Sequence, residues 1–442
     1  MFSFLRSFPK FIICFSITTT SFCAYSQPNY TIFAGNVQTN SGYKDDKGTV
    51  AMFNKPYDVA VDKDDNVYVA DYENHVIRKI TPDGTVSTLA GTPRSQGSEN
   101  GKGSLASFYH PSSLVVDANG NVFVVDQGND LIRKITPDGN VSTFAGGTYG
   151  SSIVNGQGTK AGFSGPNGIA IDANNNLYVT ERFNAAVRKI SSTGLVSTLG
   201  GNGYSVSKDG PFGVAQFDFP IGVAIDTLGN VIVSEYDSKK IRRITPDGTV
   251  TSFAGTGVSG KVDSTYLFSS FNCPADLFTG NDGNIYVVDI CNGNIRILNR
   301  RLRVRTILVK NWFDNKIISQ YGLPQGAAMD KSGNIYIADS GNNRIMKIST
   351  NATGIEEDNS ENFRFSIFPN PANSVLSIQL GSQSLSNISC NIYTIQGTLV
   401  STNQMSIQDL NLDLNIANLD AGTYIIELSN NSTTRKSLFV KK

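Results

Sequence analysis

The sequence predicts an all-β protein, a six-bladed β-propeller followed by a small C-terminal β-sandwich, on three observations. One unit recurs six times, each copy reads as four short strands, and the strand missing from the last copy lies near the start of the chain.

Aligned on a proline, the six copies begin at Pro56, Pro111, Pro166, Pro220, Pro274 and Pro324, between 50 and 55 residues apart. In the first copy the apolar runs 59–61, 67–70, 76–80 and 86–89 read as strands. Asp-Asp-Asn turns follow the first, and Thr81-Pro-Asp-Gly84 follows the third. Gly and Asn supply the positive φ of tight hairpins, and Pro presets φ at the turn corner. The sixth copy stops after its third strand. Residues 30–35, Tyr-Thr-Ile-Phe-Ala-Gly, match Val-Ser-Thr-Phe-Ala-Gly at 141–146, so the N-terminal segment is expected to complete the last sheet and close the ring.

Residues 1–26 read as a signal peptide. Arg6 and Lys10 precede an apolar stretch from Phe11, and Ala24-Tyr-Ser26 places small residues for cleavage before Gln27. No later run approaches the ~20 apolar residues of a membrane helix. The charge balance, 37 basic against 37 acidic residues, argues against a nucleic-acid partner. With only two histidines, His75 and His110, a multi-histidine metal site is excluded. No cofactor is called for.

The repeats run over residues 27–350. After them, residues 351–362 form an acidic, polar linker. Residues 363–442 alternate apolar and polar positions at 375–380, 388–393, 410–416, 424–428 and 436–440, which reads as a small sandwich.

The copies, with Pro-x-Gly-Val-Ala-Val-Asp, Gly-Asn-Val-Tyr-Val-Ala-Asp and Asn-His-x-Ile-Arg-Lys-Ile legible in the first apart from Asp58 and Asp65, resemble the NHL repeat family. Copy five departs most, with Gly280 in place of Asp and no Pro-Asp-Gly turn. The tail resembles the type A sorting domain of the type IX secretion system. The motif residues are Phe368-Pro369-Asn370-Pro371, Ile392 to Gly397, Leu419 to Tyr424 with Gly422, and a closing Val440-Lys-Lys442. The resemblance implies a Gram-negative, Bacteroidota-type host and engagement of the type IX machinery. It further implies secretion or display at the outer-membrane surface, and attachment to surface lipopolysaccharide where the tail is removed.

Little here reads as catalytic machinery. His75 occupies a repeat position and His110 precedes Pro111 in an inter-copy loop, so both read as structural. Acidic residues end the second strand of every copy (Asp71, Asp126, Glu181, Glu235, Asp289, Asp339), and sixfold repetition points to loop capping. The aromatics Phe53, Phe108, Phe163, Phe217, Phe271 and Tyr321 read as packing between copies. Asn100-Gly101, Asn155-Gly156 and Asp209-Gly210 read as turns. Arg301, Arg303 and Arg305 alternate along the outer strand of copy five, a charged edge.

Positions where the copies disagree are the candidate ligand contacts. Two residues after each proline stand Asp58, Ser113, Gly168, Gly222, Asp276 and Gly326, expected near the channel mouth. In the loops after strand two stand Tyr72, Arg182-Phe183 and Tyr236. These share one face with the long inter-copy loops, the face expected to bind. Cys273 and Cys291, found in copy five alone, are expected to form a disulfide, leaving Cys390 unpaired. The favoured reading is a non-enzymatic surface-delivered binding propeller for a protein, peptide or glycan. The alternative is a metal-dependent propeller enzyme of the lactonase or lyase type.

Overall fold

The computed structural model describes residues 29–147, 153–300, 302–307, 309–311, 317–318 and 322–349 of the repeat region. In the tail it describes 365–368, 372–380, 387–394, 398–406, 411–429 and 434–442. The signal-peptide expectation (1–26), the linker (351–362), Arg301, Tyr321, Pro369, Asn370 and Pro371 lie outside these residues.

Sheet one consists of Pro56–Val61, Val67–Asp71, Val76–Ile80 and Val86–Ala90, antiparallel in chain order. Sheets two to six repeat the plan with innermost strands Pro111–Val116, Pro166–Ile171, Pro220–Ile225, Pro274–Thr279 and Pro324–Met329. Among the described residues these inner strands adjoin in cyclic order, the sixth against the first. The result is a propeller around a central channel, in the all-β class that the repeats predict.

Each innermost strand starts at its proline rather than three residues later. A break in pairing register follows immediately, between Pro56 and Asp58 in sheet one and at the same place in the other five. This bulge interrupts the alternation of side chains just where the strand enters the channel.

The chain's N-terminal strand, Asn29–Ala34, pairs antiparallel with Arg344–Ser349, Tyr30 opposite Ile348 and Ile32 opposite Met346. It completes sheet six as expected, but it is not the edge. Val309–Asn311 runs parallel outside it, and Ile317–Ile318 lies beyond that. Other unforeseen short strands, Gly101–Lys102 and Gly156–Gln157, rise from inter-sheet loops and cover the outer edges of sheets two and three. In sheet five the outer strand Arg303–Thr306 buries Val304 and leaves Arg303 and Arg305 half-buried on the other side of the pleat.

The tail forms two sheets. One orders Phe365–Phe368, Val375–Leu380 and Asn411–Asn415; the other orders Leu399–Ser406, Asn387–Thr394, Gly422–Ser429 and Thr434–Lys441. Leu376, Ile378 and Leu414 from one face Ile392, Ile426 and Phe439 from the other in a single buried cluster. Of the sorting-motif residues, Gly422 opens its strand. Tyr424 is buried against Phe439, its hydroxyl donating to the Asp420 carbonyl at 3.0 Å.

Cys273 and Cys291 are bonded, with Cα atoms 5.4 Å apart. Cys390 is free and lies in the tail's core, where burial pushes its thiol up to about 12. Peptide mapping without reductant is expected to recover 273 linked to 291 and Cys390 as the thiol. A link from either to Cys390 contradicts the assignment.

Candidate channel-mouth binding site

The loops of one face are held by a device repeated in every sheet. The acid ending strand two accepts a backbone N–H seventeen residues earlier at 2.7–3.0 Å, as with Asn54 to Asp71 and Asp218 to Glu235. It also accepts a side-chain donor three residues later, Asn74 to Asp71 and its equivalents. That much fits the loop-capping expectation.

The third partner was not expected. In sheets one to five a guanidinium from strand three pairs with the acid: Arg78–Asp71 at 2.8 Å, Arg133–Asp126 at 2.8 Å, Arg188–Glu181 at 3.0 Å, Arg242–Glu235 at 2.5 Å and Arg296–Asp289 at 2.9 Å. All ten of these side chains are fully buried. The second arm of each guanidinium reaches Asp45, Asn100, Asn155, Asp209 or Asp263. The Asn-Gly and Asp-Gly segments are therefore anchors, not turns alone. Phe53, Phe108, Phe163, Phe217 and Phe271 lie over the same guanidinium groups at 5.0–5.6 Å.

Asp58 and Asp276 are not in solvated loops. Asp58 is 5% exposed and points into the channel. Its carboxylate accepts from Val59 N, Ser113 Oγ and Leu114 N at 2.7, 2.7 and 3.0 Å, joining sheet one to sheet two. Asp276 accepts from Ala327 N at 2.9 Å, joining sheet five to sheet six. In sheets three and four, where the copies carry Gly168 and Gly222, a hydroxyl from strand two takes over: Thr180 Oγ1 and Ser234 Oγ donate to the carbonyls of Ile221 and Ala275 in the next sheet. An added Cβ at Gly326 would lie 2.2 Å from Asp58 Oδ1, so glycine there admits the carboxylate. This position stitches neighbouring sheets. Asp58, expected near the channel mouth, lines the channel as a buried crosslink.

Between these residues the channel leaves about 10 Å³ open, room for roughly one water. Burial pushes the Asp58 carboxyl up to about 6 from its ordinary 3.8. Asp276 is raised by burial and by the neighbouring Asp58 charge. The folded chain therefore holds a proton that the unfolded chain has released between about pH 4 and pH 6. Stability from this source is present below pH 4 and lost as pH rises through 6. Urea midpoints are expected to fall between pH 4.5 and 7.5, and Asp58→Asn should flatten that slope. An unchanged slope in the variant contradicts a titrating Asp58.

Above the channel the structure gathers most of the variable residues. Tyr57, the residue just after the proline, stacks on Tyr72 at 5.0 Å, and Tyr72 stacks on His110 at 4.4 Å and 4°. The two histidines meet here, rings 4.8 Å apart, with His75 Nδ1 donating to the Tyr72 carbonyl at 3.0 Å. Burial and the His110 charge lower the His75 pKa. Glu73 pairs with Lys55 at 3.1 Å and His110 at 3.6 Å.

On the other side Arg182 lies over the rings of Phe183 at 4.5 Å and Phe219 at 5.3 Å, and Tyr236 packs against Phe219. Arg182 and Tyr236 both act electrostatically on Tyr57, whose pKa burial raises. Tyr72 is pushed up to about 12, mainly by burial. The Asn167 amide flanks the Tyr57 hydroxyl closely enough to affect its titration, yet Nδ2 meets no partner in hydrogen-bond geometry. The Cys273–Cys291 bridge borders the site, with Cys291 Sγ 4.0 Å from the Tyr236 hydroxyl.

The structure thus brings together Tyr72, Arg182, Phe183 and Tyr236 at the mouth and puts Asp58 and Asp276 in the throat below. Tyr57, Asn167 and Gln325 were missed. The signal existed one position earlier than the one considered, since Tyr57, Ser112, Asn167, Ile221, Ala275 and Gln325 are as variable as their successors. Among the described residues no three His, Cys, Asp or Glu side chains converge as a metal set would.

Comparison with known proteins gives the same two parts. Residues 53–80 and 322–348 match the NHL repeat, and residues 366–442 match the secretion system C-terminal sorting domain. NHL repeat-containing protein 2 of Homo sapiens is 28% identical over 306 residues, covering 61% of this chain and 42% of that protein. The bovine protein of the same name is 29% identical over 307 residues, with the same coverage. The chain thus spans about two fifths of the length of these relatives. Among solved structures, a protein of unknown function from Bacteroides thetaiotaomicron superimposes with a TM-score of 0.58 at 17% identity, covering 73% of this chain and 76% of that one. An auxiliary nutrient binding protein from Bacteroides ovatus gives 0.53 at 15% identity, covering 73% and 77%. At such identities the likeness shows the propeller fold alone. The sorting domain implies secretion or delivery to the outer-membrane surface by the type IX system.

Proposed function

We propose that this chain, which carries NHL repeats and a type IX secretion sorting domain, is a binding protein of the cell exterior whose ligand rests on the channel mouth of the propeller. One observation carries the reading. Arg182 has no carboxylate or other side-chain hydrogen-bond partner among the described residues, while the guanidinium groups that hold the sheets are each paired within the fold. It sits between two aromatic rings beside three tyrosines, on the face with the long loops. Rigid aromatic rings and an arginine are the groups that dominate recognition surfaces. The opposite face offers repeated Pro-Asp-Gly turns with little variety. A propeller of the same fold in Bacteroides ovatus is described as nutrient binding, in keeping with this role.

In this reading residues 1–26 direct export across the inner membrane, residues 351–362 link the two parts, and the tail engages the type IX machinery before exchange for lipopolysaccharide. Panels of soluble glycans and peptides presented to the full chain supply a ligand. Tyr72→Ala and Tyr236→Ala should then each weaken binding by roughly tenfold with melting unchanged. Asp83→Ala and Asp138→Ala, in the turns of the other face, should leave binding intact. The reverse pattern places the site on the wrong face.

A further inference from the structure

We infer that the ligand is an acidic glycan, one whose sugar rings carry carboxylates as uronic acids do, and that Arg182 is the group that selects it. This deepens the channel-mouth reading and rests on it. A guanidinium presents a planar fork of donors that matches a carboxylate in two parallel hydrogen bonds. Phe183 and Phe219 lie against this one at 4.5 and 5.3 Å, the side chain is half-buried, and its Nε is shut off from water without an acceptor, as are those of Arg133, Arg188, Arg242 and Arg296. Pairing with an incoming anion is stronger where water is thinned in this way.

The surroundings specify the rest of the ligand. Tyr57 and Tyr72 stack on each other, 5.0 Å apart and 27° from parallel, and Tyr72 on His110, so they present edges and hydroxyls, while Phe183, 60% exposed, leaves apolar surface against which the C–H face of a pyranose packs. Asn167, 3% exposed, lines the channel mouth with an unpartnered Nδ2, a donor for a hydroxyl or ring oxygen. With Lys55 already paired to Glu73, one unpaired guanidinium beside an apolar ring and neutral donors suits a polyhydroxylated ring with a single negative charge. A phosphate or sulfate cluster would require more cations. The throat holds about one water, so the saccharide lies across the mouth and does not enter the channel.

Calorimetry on the full-length protein tests this, with galacturonate, glucuronate and mannuronate oligomers, their methyl esters and neutral oligomers of equal length. At least one uronate oligomer should bind, and esterification should weaken it by about tenfold to a hundredfold. Arg182→Gln should bring acid and ester to the same weak affinity. Arg182→Lys should recover only part of the preference, because an ammonium lacks the fork. The inference is overturned if no uronate oligomer binds, if ester and acid bind alike, or if Arg182→Gln keeps the preference. Neutral glycans that bind and are lost in Tyr72→Ala would leave the site standing and remove the charge assignment. Glycan binding that survives both Tyr72→Ala and Arg182→Gln would remove the site itself.

Discussion

Arg133→Ala is expected to destabilise the protein by about 3–5 kcal/mol, the usual cost of breaking a buried ion pair from one side. Arg133 is fully buried and donates to Asp126 at 2.8 Å, to the Ser107 carbonyl at 3.1 Å, to the Glu99 carbonyl at 2.9 Å and to Asn100 Oδ1 at 2.8 Å. Alanine leaves the Ser107 carbonyl without its donor, takes one of two donors from the Glu99 carbonyl and opens a void beneath Phe108. It also strands Asp126, whose carboxyl burial already pushes up to about 6 even against the Arg133 charge. Melting should fall on the order of 10 °C. Lys102, which meets Asp138 at 3.1 Å in the open, provides the control, and its alanine variant should melt with the parent. A parent-like melting curve for Arg133→Ala would mean that the network does not hold the loops.

Removing Asn29–Ala34 should have the larger effect. The strand pairs over its length with Arg344–Ser349, buries Ala34 fully and sets Phe33 against Tyr336 at 4.9 Å. Without it sheet six exposes a row of unpaired backbone groups and the hydrophobic seam beside them, a template for association. The shortened chain is expected to elute as aggregate and to lose its cooperative transition. A monomer melting with the parent would show that the ring closes by other contacts.

The fold was legible because repetition multiplies a weak signal. A single run such as Val67–Asp71 suits many sheets, but six copies with the same turns and a displaced last strand admit few arrangements. The acids were read correctly as structural, yet their arginine partners went unseen. The pair lies seven residues apart across a hairpin, and nothing in a one-dimensional pattern says that Arg78 turns inward while Lys79 beside it stays at the surface. The channel lining was read only in part, for a different reason. Alternation assigns one of two neighbours to the channel, and the bulge after each proline brings both Tyr57 and Asp58 to it. The histidines, 35 residues apart in sequence, meet only because sheets one and two are neighbours in the ring.

Amide hydrogen exchange on the full-length protein, with and without a saturating oligosaccharide, tests the placement of the site most directly. Protection should concentrate in the loops that begin at Tyr72, Arg182 and Tyr236 and in the segments entering the innermost strands at Tyr57 and Asn167. The Thr-Pro-Asp-Gly turns at 81–84 and 136–139 should exchange as in the free protein. Protection at those turns, with none around Arg182, would place the ligand on the opposite face and contradict the channel-mouth site.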